Sequence, residues 1–151
     1  MELTDLQLAW VNLIATLYMC GVIMLVQFAQ YPLFRLAGAD GFSEYATKHQ
    51  YWVTFVVGPA MLVECGVALM WLALPTPLPS DLILINAGLM IAILAATAVL
   101  SVPCHAQLVK GYDARVIRRL VLGNWPRTVF WIAKAYVAVQ ILHMIYTGNL
   151  P

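Results

Sequence analysis

The residues of this chain that could do chemistry are a few polar side chains set within long apolar stretches. They include two histidines, His49 and His105, one acidic residue, Glu64, and two basic residues, Arg127 and Lys134. Imidazole and carboxylate groups together suit a divalent transition metal, and two imidazoles can also hold a haem iron. Without a metal, the same groups could perform general acid–base catalysis. No two of the histidines and the glutamate are three or four residues apart, so the spacing favours none of these chemistries.

The composition indicates what kind of element carries these residues. Hydrophobic residues make up 63% of the 151-residue chain and charged residues 10%, against roughly 45–50% and about 25% in soluble domains. A soluble fold of this length cannot bury so many apolar side chains. The formal net charge of +1 creates no field that would recruit nucleic acid. The sequence therefore predicts an integral membrane protein that binds no nucleic acid.

Four stretches with almost no charge predict four transmembrane helices. A helix needs about 20 apolar residues to cross the hydrocarbon core of a bilayer. The expected spans are Leu6–Ala29, Tyr51–Leu74, Leu82–Cys104 and Pro126–Tyr146. We therefore expect an all-α polytopic membrane protein, in which residues 1–151 form a single membrane domain built as a four-transmembrane-helix bundle.

The basic residues are distributed unevenly around these spans. Both termini and the loop between the second and third spans share one side, where Glu2, Asp5 and Asp81 occur without any lysine or arginine. The other side carries seven of the eight basic residues, namely Arg35, Lys48, Lys110, Arg115, Arg118, Arg119 and Arg127. The positive-inside rule places this basic side in the cytoplasm and both termini on the non-cytoplasmic side of the cell inner membrane.

The segment before the fourth span has a different pattern. Over residues 112–122, one helical face carries Ile117, Leu120 and Val121, and another carries Arg115, Arg118 and Arg119. This spacing predicts a short amphipathic helix on the inner leaflet, with its arginines against anionic lipids. Asn124 and Pro126 are expected to begin the next helix as its cap and its first-turn proline.

Polar residues occupy one face of most of the predicted spans. They are Asn12, Thr16, Cys20, Gln27 and Gln30 on the first, Asn86, Thr97, Ser101 and His105 on the third, and Asn124, Arg127, Trp131 and Lys134 on the fourth. The second span has Glu64 near its middle and His49 just before it. Because polar groups in a bilayer must be paired or line a cavity, we expect these residues to face inward.

Depth along the helices divides these residues into two levels. Glu64 and Lys134 lie at similar depths and are expected to form an ion pair. The residues near the cytoplasmic surface are expected to surround one polar pocket above that pair, with His105 within about 10 Å of His49 and of the Asn124–Arg127 turn. The candidate catalytic residues are Glu64, Lys134, Arg127 and Asn124. The candidate cofactor ligands are His49 and His105, and the candidate metal ligands are His49, His105 and Glu64.

Short motifs occur at the ends and in the middle of the predicted spans. Gln30–Phe34 (QYPLF) closes the first span, and Gly58–Leu62 (GPAML) precedes Glu64 in the second. Pro103 and His105 follow in the third span, and Asn124–Trp131 (NWPRTVFW) with Lys134 in the fourth. These motifs cover most of the chain and resemble those of a widespread, uncharacterised family of small bacterial four-helix integral membrane proteins.

The resemblance implies four helices without supplying a reaction. Members of that family commonly have Tyr-His where this chain has Glu44, Tyr45 and Ala46, and often have Arg in place of Lys134. In architecture alone, the chain is similar to the anthrone-oxygenase-like membrane proteins and to small haem-linked four-helix oxidases. A shared architecture does not define a shared chemistry.

The sequence leaves three functions open. The first is a membrane-embedded enzyme, or a metal- or haem-binding redox protein, that acts on a hydrophobic substrate from the inner leaflet. The second is a module that binds or transports a small solute or a proton, with Glu64 as the titrating group. The third is a structural accessory subunit of a membrane complex. Four helices are few for an alternating-access carrier, although a homo-oligomer would supply more.

The charge distribution predicts that the C-terminus lies outside the cytoplasm. A reporter enzyme that is active only after export should be active when fused after Pro151 and inactive when fused after Gly38, in the first basic loop. A reporter that is active only in the cytoplasm should give the opposite pair of results. Reversal of both pairs would contradict this orientation.

Overall fold

The structure is a computed structural model that describes residues 3–148, and residues 3 and 4 by their backbone only. Glu2, which contributes to the predicted charge asymmetry, and residues 149–151 lie outside the described range. Within that range the secondary structure is entirely helical. The helices are α1 (Leu3–Leu25), α2 (Tyr31–Leu33), α3 (Phe42–Ala73), α4 (Ser80–Ala96), α5 (Val102–Leu108), α6 (Ala114–Gly123) and α7 (Trp125–Thr147).

Two wider turns and one tighter turn extend these helices. A π-helical turn, Val26–Gln30, joins α1 to α2, and a second, Thr97–Ser101, joins α4 to α5. A 3₁₀ turn, Phe34–Leu36, follows α2. The helices and turns together form four segments, each of which is long and apolar enough to cross a membrane. We call them the first to fourth spans, and they are Asp5–Leu36, Phe42–Ala73, Ser80–Leu108 and Ala114–Thr147. The predicted all-α architecture with four long apolar helices is confirmed.

The helices extend beyond the predicted spans because hydropathy marks the apolar core, whereas backbone hydrogen bonding continues into polar sequence. The largest difference is at α3, which begins at Phe42 rather than at Tyr51. Gly41 precedes it with a positive φ of 74°, a conformation that glycine adopts without steric cost. His49, expected just before the second span, therefore lies within α3 and has a fixed direction relative to Glu64.

Each span packs between two antiparallel neighbours. The first span packs beside the second and the fourth, and the third span packs beside the same two. The chain therefore passes around the bundle in order, as short connections favour. Spans on opposite corners, the first with the third and the second with the fourth, meet mainly through side chains in the interior.

Apolar and polar layers alternate along the bundle in the same order on every span. The end that carries residues 35–50 and 109–127 is called the basic end, and the end that carries Asp5 and residues 74–81 the terminal end. Three buried apolar clusters centre on Val67, Trp71 and Ile141 near the terminal end, on Met19, Met90 and Trp131 in the middle, and on Phe34, Phe42 and Leu120 at the basic end. One polar layer lies in each of the two gaps between them.

Helix α6 covers the basic end of the bundle. Ile117 and Leu120 are fully buried among residues of the first, second and third spans, whereas Arg115, Arg118 and Arg119 are exposed. The Asp113 carboxylate caps its N-terminus by accepting hydrogen bonds from the backbone N–H groups of Arg115 and Val116. The face expected to enter the lipid is therefore largely occupied by packing against the protein.

Candidate functional site

An ion pair lies in the polar layer nearer the terminal end. Lys134 Nζ and Glu64 Oε2 are 2.6 Å apart, and both side chains are fully buried. The predicted pairing of these two residues is confirmed. Glu64 belongs to the second span and Lys134 to the fourth, so the pair joins opposite corners of the bundle across its centre.

The other two spans complete this layer with neutral polar groups. Thr16 Oγ1 donates a hydrogen bond of 2.6 Å to Glu64 Oε1. Lys134 Nζ donates to Asn12 Oδ1 at 3.1 Å and to Asn86 Oδ1 at 2.6 Å. An ammonium group has three N–H donors. Asn12 and Asn86 accept hydrogen bonds from Lys134 Nζ, and the Glu64 carboxylate supplies the counter-charge. We call Asn12, Thr16, Glu64, Asn86 and Lys134 the central layer.

The structure does not bring Glu64 or Lys134 to the predicted pocket. Glu64 follows His49 by 15 residues on α3, which corresponds to about 22 Å along a helix. The middle apolar cluster, which includes Trp131, separates the two levels. Among the described residues, no group of three or more His, Cys, Asp or Glu side chains is arranged to hold a metal ion. The three candidate metal ligands His49, His105 and Glu64 are thus not assembled in one place.

The two histidines do meet, in the polar layer at the basic end. Their rings stack with centroids 5.7 Å apart and planes inclined by 27°, so the distance predicted between them is confirmed. Each ring also contacts the first span. Gln30 Nε2 lies 2.9 Å from His49 Nδ1, and the Tyr31 hydroxyl lies 3.0 Å from His105 Nε2.

The two π-helical turns position these contacts. Each turn ends two residues before a proline, Pro32 in the first span and Pro103 in the third. A proline has no N–H, and its ring collides with the carbonyl group four residues earlier in a regular α-helix. The wider π turn inserts one residue and so changes the direction of the side chains that follow. Gln30 and Tyr31 of the first span consequently face His49 and His105.

A second network joins the fourth span to the first and third. Asn124 Nδ2 donates to Gln27 Oε1 at 2.9 Å. Arg127 Nη1 donates to Asn124 Oδ1 at 3.0 Å and to Ser101 Oγ at 3.2 Å. All four side chains are buried.

Asn124 has a role that differs from the predicted one. It occupies the cap position of α7, and Pro126 is in the first turn as expected, but the Asn124 side chain makes no capping hydrogen bond. Its backbone is helical, and its carbonyl accepts from Thr128 N–H at 3.0 Å. Because α6 and α7 are almost continuous there, the amide is free to bridge Gln27 and Arg127 instead.

A cavity of about 150 Å³ connects the histidine and arginine contacts. Its floor includes the buried residues Tyr31, Ser101 and Arg127, with His105 beside them. Gln50 and Thr54 of the second span and Val102 of the third also line it, and these three are exposed. The mouth therefore opens sideways between the second and third spans. We call this cavity the lateral pocket.

His49 lines a different cavity, of about 440 Å³, between the first and second spans. Gln30, Lys48 and Trp52 line it with His49. The two histidines therefore stack on each other but open onto separate spaces. The prediction that they hold a transition metal or a haem remains a prediction.

Gln30, Tyr31 and Ser101 were not among the candidate catalytic, cofactor-binding or metal residues, although Gln30 and Ser101 were expected to face inward and all three contact candidate residues. The signal that could have identified them is the pair of prolines at the same level of the first and third spans. No protein-family model, no curated protein and no solved structure matches this chain. The resemblance described above therefore also remains a prediction.

The central layer predicts a strong coupling between Glu64 and Lys134. Glu64→Leu should lower the free energy of unfolding by about 3–5 kcal/mol, because it leaves the Lys134 ammonium group buried without its carboxylate. Addition of Lys134→Met should restore much of that loss. The double-mutant cycle is measured by thermal or denaturant unfolding in detergent of the unaltered protein, the two single variants and the double variant.

The exposed ion pair between Lys48 and Glu44, also 2.6 Å long, serves as a matched control. Glu44→Leu should cost at most about 1 kcal/mol, because water screens an exposed pair. Additive effects of Glu64→Leu and Lys134→Met would contradict the coupling.

Proposed function

We propose that this chain is a multi-pass protein of a bacterial cell inner membrane that binds the polar head of a small membrane-soluble molecule in its lateral pocket. In this proposal the Tyr31–His105 pair exchanges a proton with the bound molecule. The basic end faces the cytoplasm, and both termini face away from it. The exposed Arg115, Arg118 and Arg119 of α6 contact anionic lipids of the inner leaflet.

The distribution of polar and apolar side chains supports a location in the membrane. The interior contains the charged central layer, whereas the outward faces of the four spans carry exposed residues such as Ile14, Leu25, Leu62 and Ile91. Water would disfavour this arrangement, and lipid favours it. The absence of lysine and arginine among the residues assigned to the terminal end supports the orientation.

The observation that carries the proposed chemistry is the contact between the Tyr31 hydroxyl and His105 Nε2, 3.0 Å apart at the wall of the pocket. A phenol and an imidazole can each donate and accept a hydrogen bond. A molecule in the pocket could therefore give a proton to one and receive a proton from the other. This is the arrangement that general acid–base catalysis requires.

The size and position of the pocket support a head group as its occupant. Sites that enclose a whole drug-sized ligand usually have volumes of about 300–1,000 Å³, and the lateral pocket has about 150 Å³. Apolar residues, among them Val53, Val57 and Val102, line it together with the polar groups. An apolar tail could therefore extend from the mouth into the surrounding lipid.

A proton-transport function is less well supported. The central layer, which contains Glu64, lies beyond the middle apolar cluster, in which Met19, Ile23 and Trp131 are almost fully buried. This cluster interrupts any polar path from the pocket to the terminal end. Glu64 is also already held by Lys134 and Thr16.

Photo-crosslinking in nanodiscs tests the pocket. The probes are amphiphiles with one decyl chain, a diazirine next to the head, and an alcohol, carboxylate or ammonium head. At least one of them should label residues 50–57 and 97–102 in a manner that its unlabelled analogue competes away. Labelling of the outer lipid faces should not be saturable.

Two tryptophan variants on α3 provide the control. Thr54→Trp should block the mouth and abolish saturable labelling, whereas Val63→Trp, on an exposed position away from the pocket, should leave it unchanged. If none of the three head groups gives saturable labelling at the pocket, the proposed function is wrong.

A further inference from the structure

Arg127 is a buried cation without a carboxylate partner among the described residues. Its side chain lies on the floor of the lateral pocket, and the residue is only 6% exposed. Its Nη1 donates to two neutral oxygens, those of Asn124 and Ser101, and its Nε has no hydrogen-bond partner. A charge held inside a protein or a bilayer without a counter-charge is costly.

Within residues 3–148, every acidic side chain either has another partner or is exposed. Glu64 pairs with Lys134, Glu44 pairs with Lys48, Asp113 caps α6, and Asp5 accepts a hydrogen bond from Thr76. Asp40 and Asp81 are exposed. Lys134, the other buried cation, obtains its carboxylate from the chain itself. Arg127 differs in that it lines a cavity.

We propose that Arg127 binds the anionic head, a carboxylate or a phosphate, of an amphiphile held in the lateral pocket. This inference rests on the proposed function and names the class of molecule that the pocket takes. A guanidinium group donates two parallel hydrogen bonds to a carboxylate or phosphate. The protein engages Nη1 and leaves Nε without a hydrogen-bond partner, so the guanidinium group keeps donor capacity for an anion.

Neighbouring groups suit the same ligand. The hydroxyl groups of Tyr31 and Ser101 lie on the pocket floor with Arg127, and a hydroxyl can donate to an anionic oxygen. The apolar lining and the sideways mouth favour an anion that carries an alkyl tail over a free inorganic ion. The ligand would then approach from the leaflet on the basic side, with its tail between the second and third spans.

Thermal unfolding in a neutral detergent tests this assignment. The probes are decanoate, decyl phosphate, decanol and decyltrimethylammonium, which share one tail, and inorganic phosphate, which has none. The two anionic amphiphiles should raise Tm by roughly 5–10 °C at a concentration 100-fold above Kd. Decanol, the cationic amphiphile and inorganic phosphate should raise Tm much less.

Two arginine variants locate the effect. Arg127→Gln should abolish the difference between decanoate and decanol, and Arg127→Lys should weaken decanoate binding about tenfold, because lysine has no planar fork. Arg35→Gln, at an exposed position in the 3₁₀ turn after α2, should leave the difference unchanged. The comparison of head groups on the unaltered protein stands even where Arg127→Gln does not fold.

Three results would overturn the inference. The first is an equal shift with decanoate and decanol, and the second is an equal loss of the shift in Arg35→Gln and Arg127→Gln. The third is a full shift with inorganic phosphate, which would remove the need for a tail. Saturable photolabelling of the pocket by the alcohol probe alone would overturn the anion assignment and leave the proposed pocket intact. The absence of saturable labelling with every head group would instead overturn the proposed function.

Discussion

The buried ion pair between Glu64 and Lys134 is the interaction on which the rest of the structure depends. Two fully buried charges are tolerable only if they meet each other and their remaining hydrogen-bonding groups are satisfied. The hydroxyl group of Thr16 and the amide oxygens of Asn12 and Asn86 meet this requirement from the other two spans. A shift of any span along its axis would break at least one of these contacts, so the central layer sets the register of all four.

That register brings the polar residues of the basic end to one level. Pro32 and Pro103 are each preceded by a π-helical turn, and these turns bring Tyr31 and His105 together across the bundle. Helix α6 covers this end with Ile117 and Leu120, so the lateral pocket opens between the second and third spans. With the spans in a bilayer, as proposed, the mouth of this pocket would face lipid rather than water.

Much of this arrangement could be predicted from the sequence, because it depends on depth along nearly regular helices. Counting residues from the ends of uncharged stretches placed Glu64 beside Lys134 and His49 beside His105. The same counting placed Glu64 deeper than the histidines, but it could not show that His49 lies on the same helix, since α3 begins at Phe42, after Gly41, and not where the apolar stretch begins. Nor could it foresee the contact of Tyr31 with His105, because a proline in a long helix can produce either a kink or a π turn. The lack of a counter-ion for Arg127 within residues 3–148 is visible only once the carboxylates of those residues have been placed.

The central claim is that the unneutralised charge of Arg127 holds an anionic molecule in the lateral pocket. Native mass spectrometry of the protein released from nanodiscs tests this claim most directly, since it reports the mass and the number of molecules that stay bound. One anionic amphiphile per chain should remain bound to the unaltered protein and to Arg35→Gln, and it should be lost from Arg127→Gln. Retention of the same bound mass by Arg127→Gln would contradict the account.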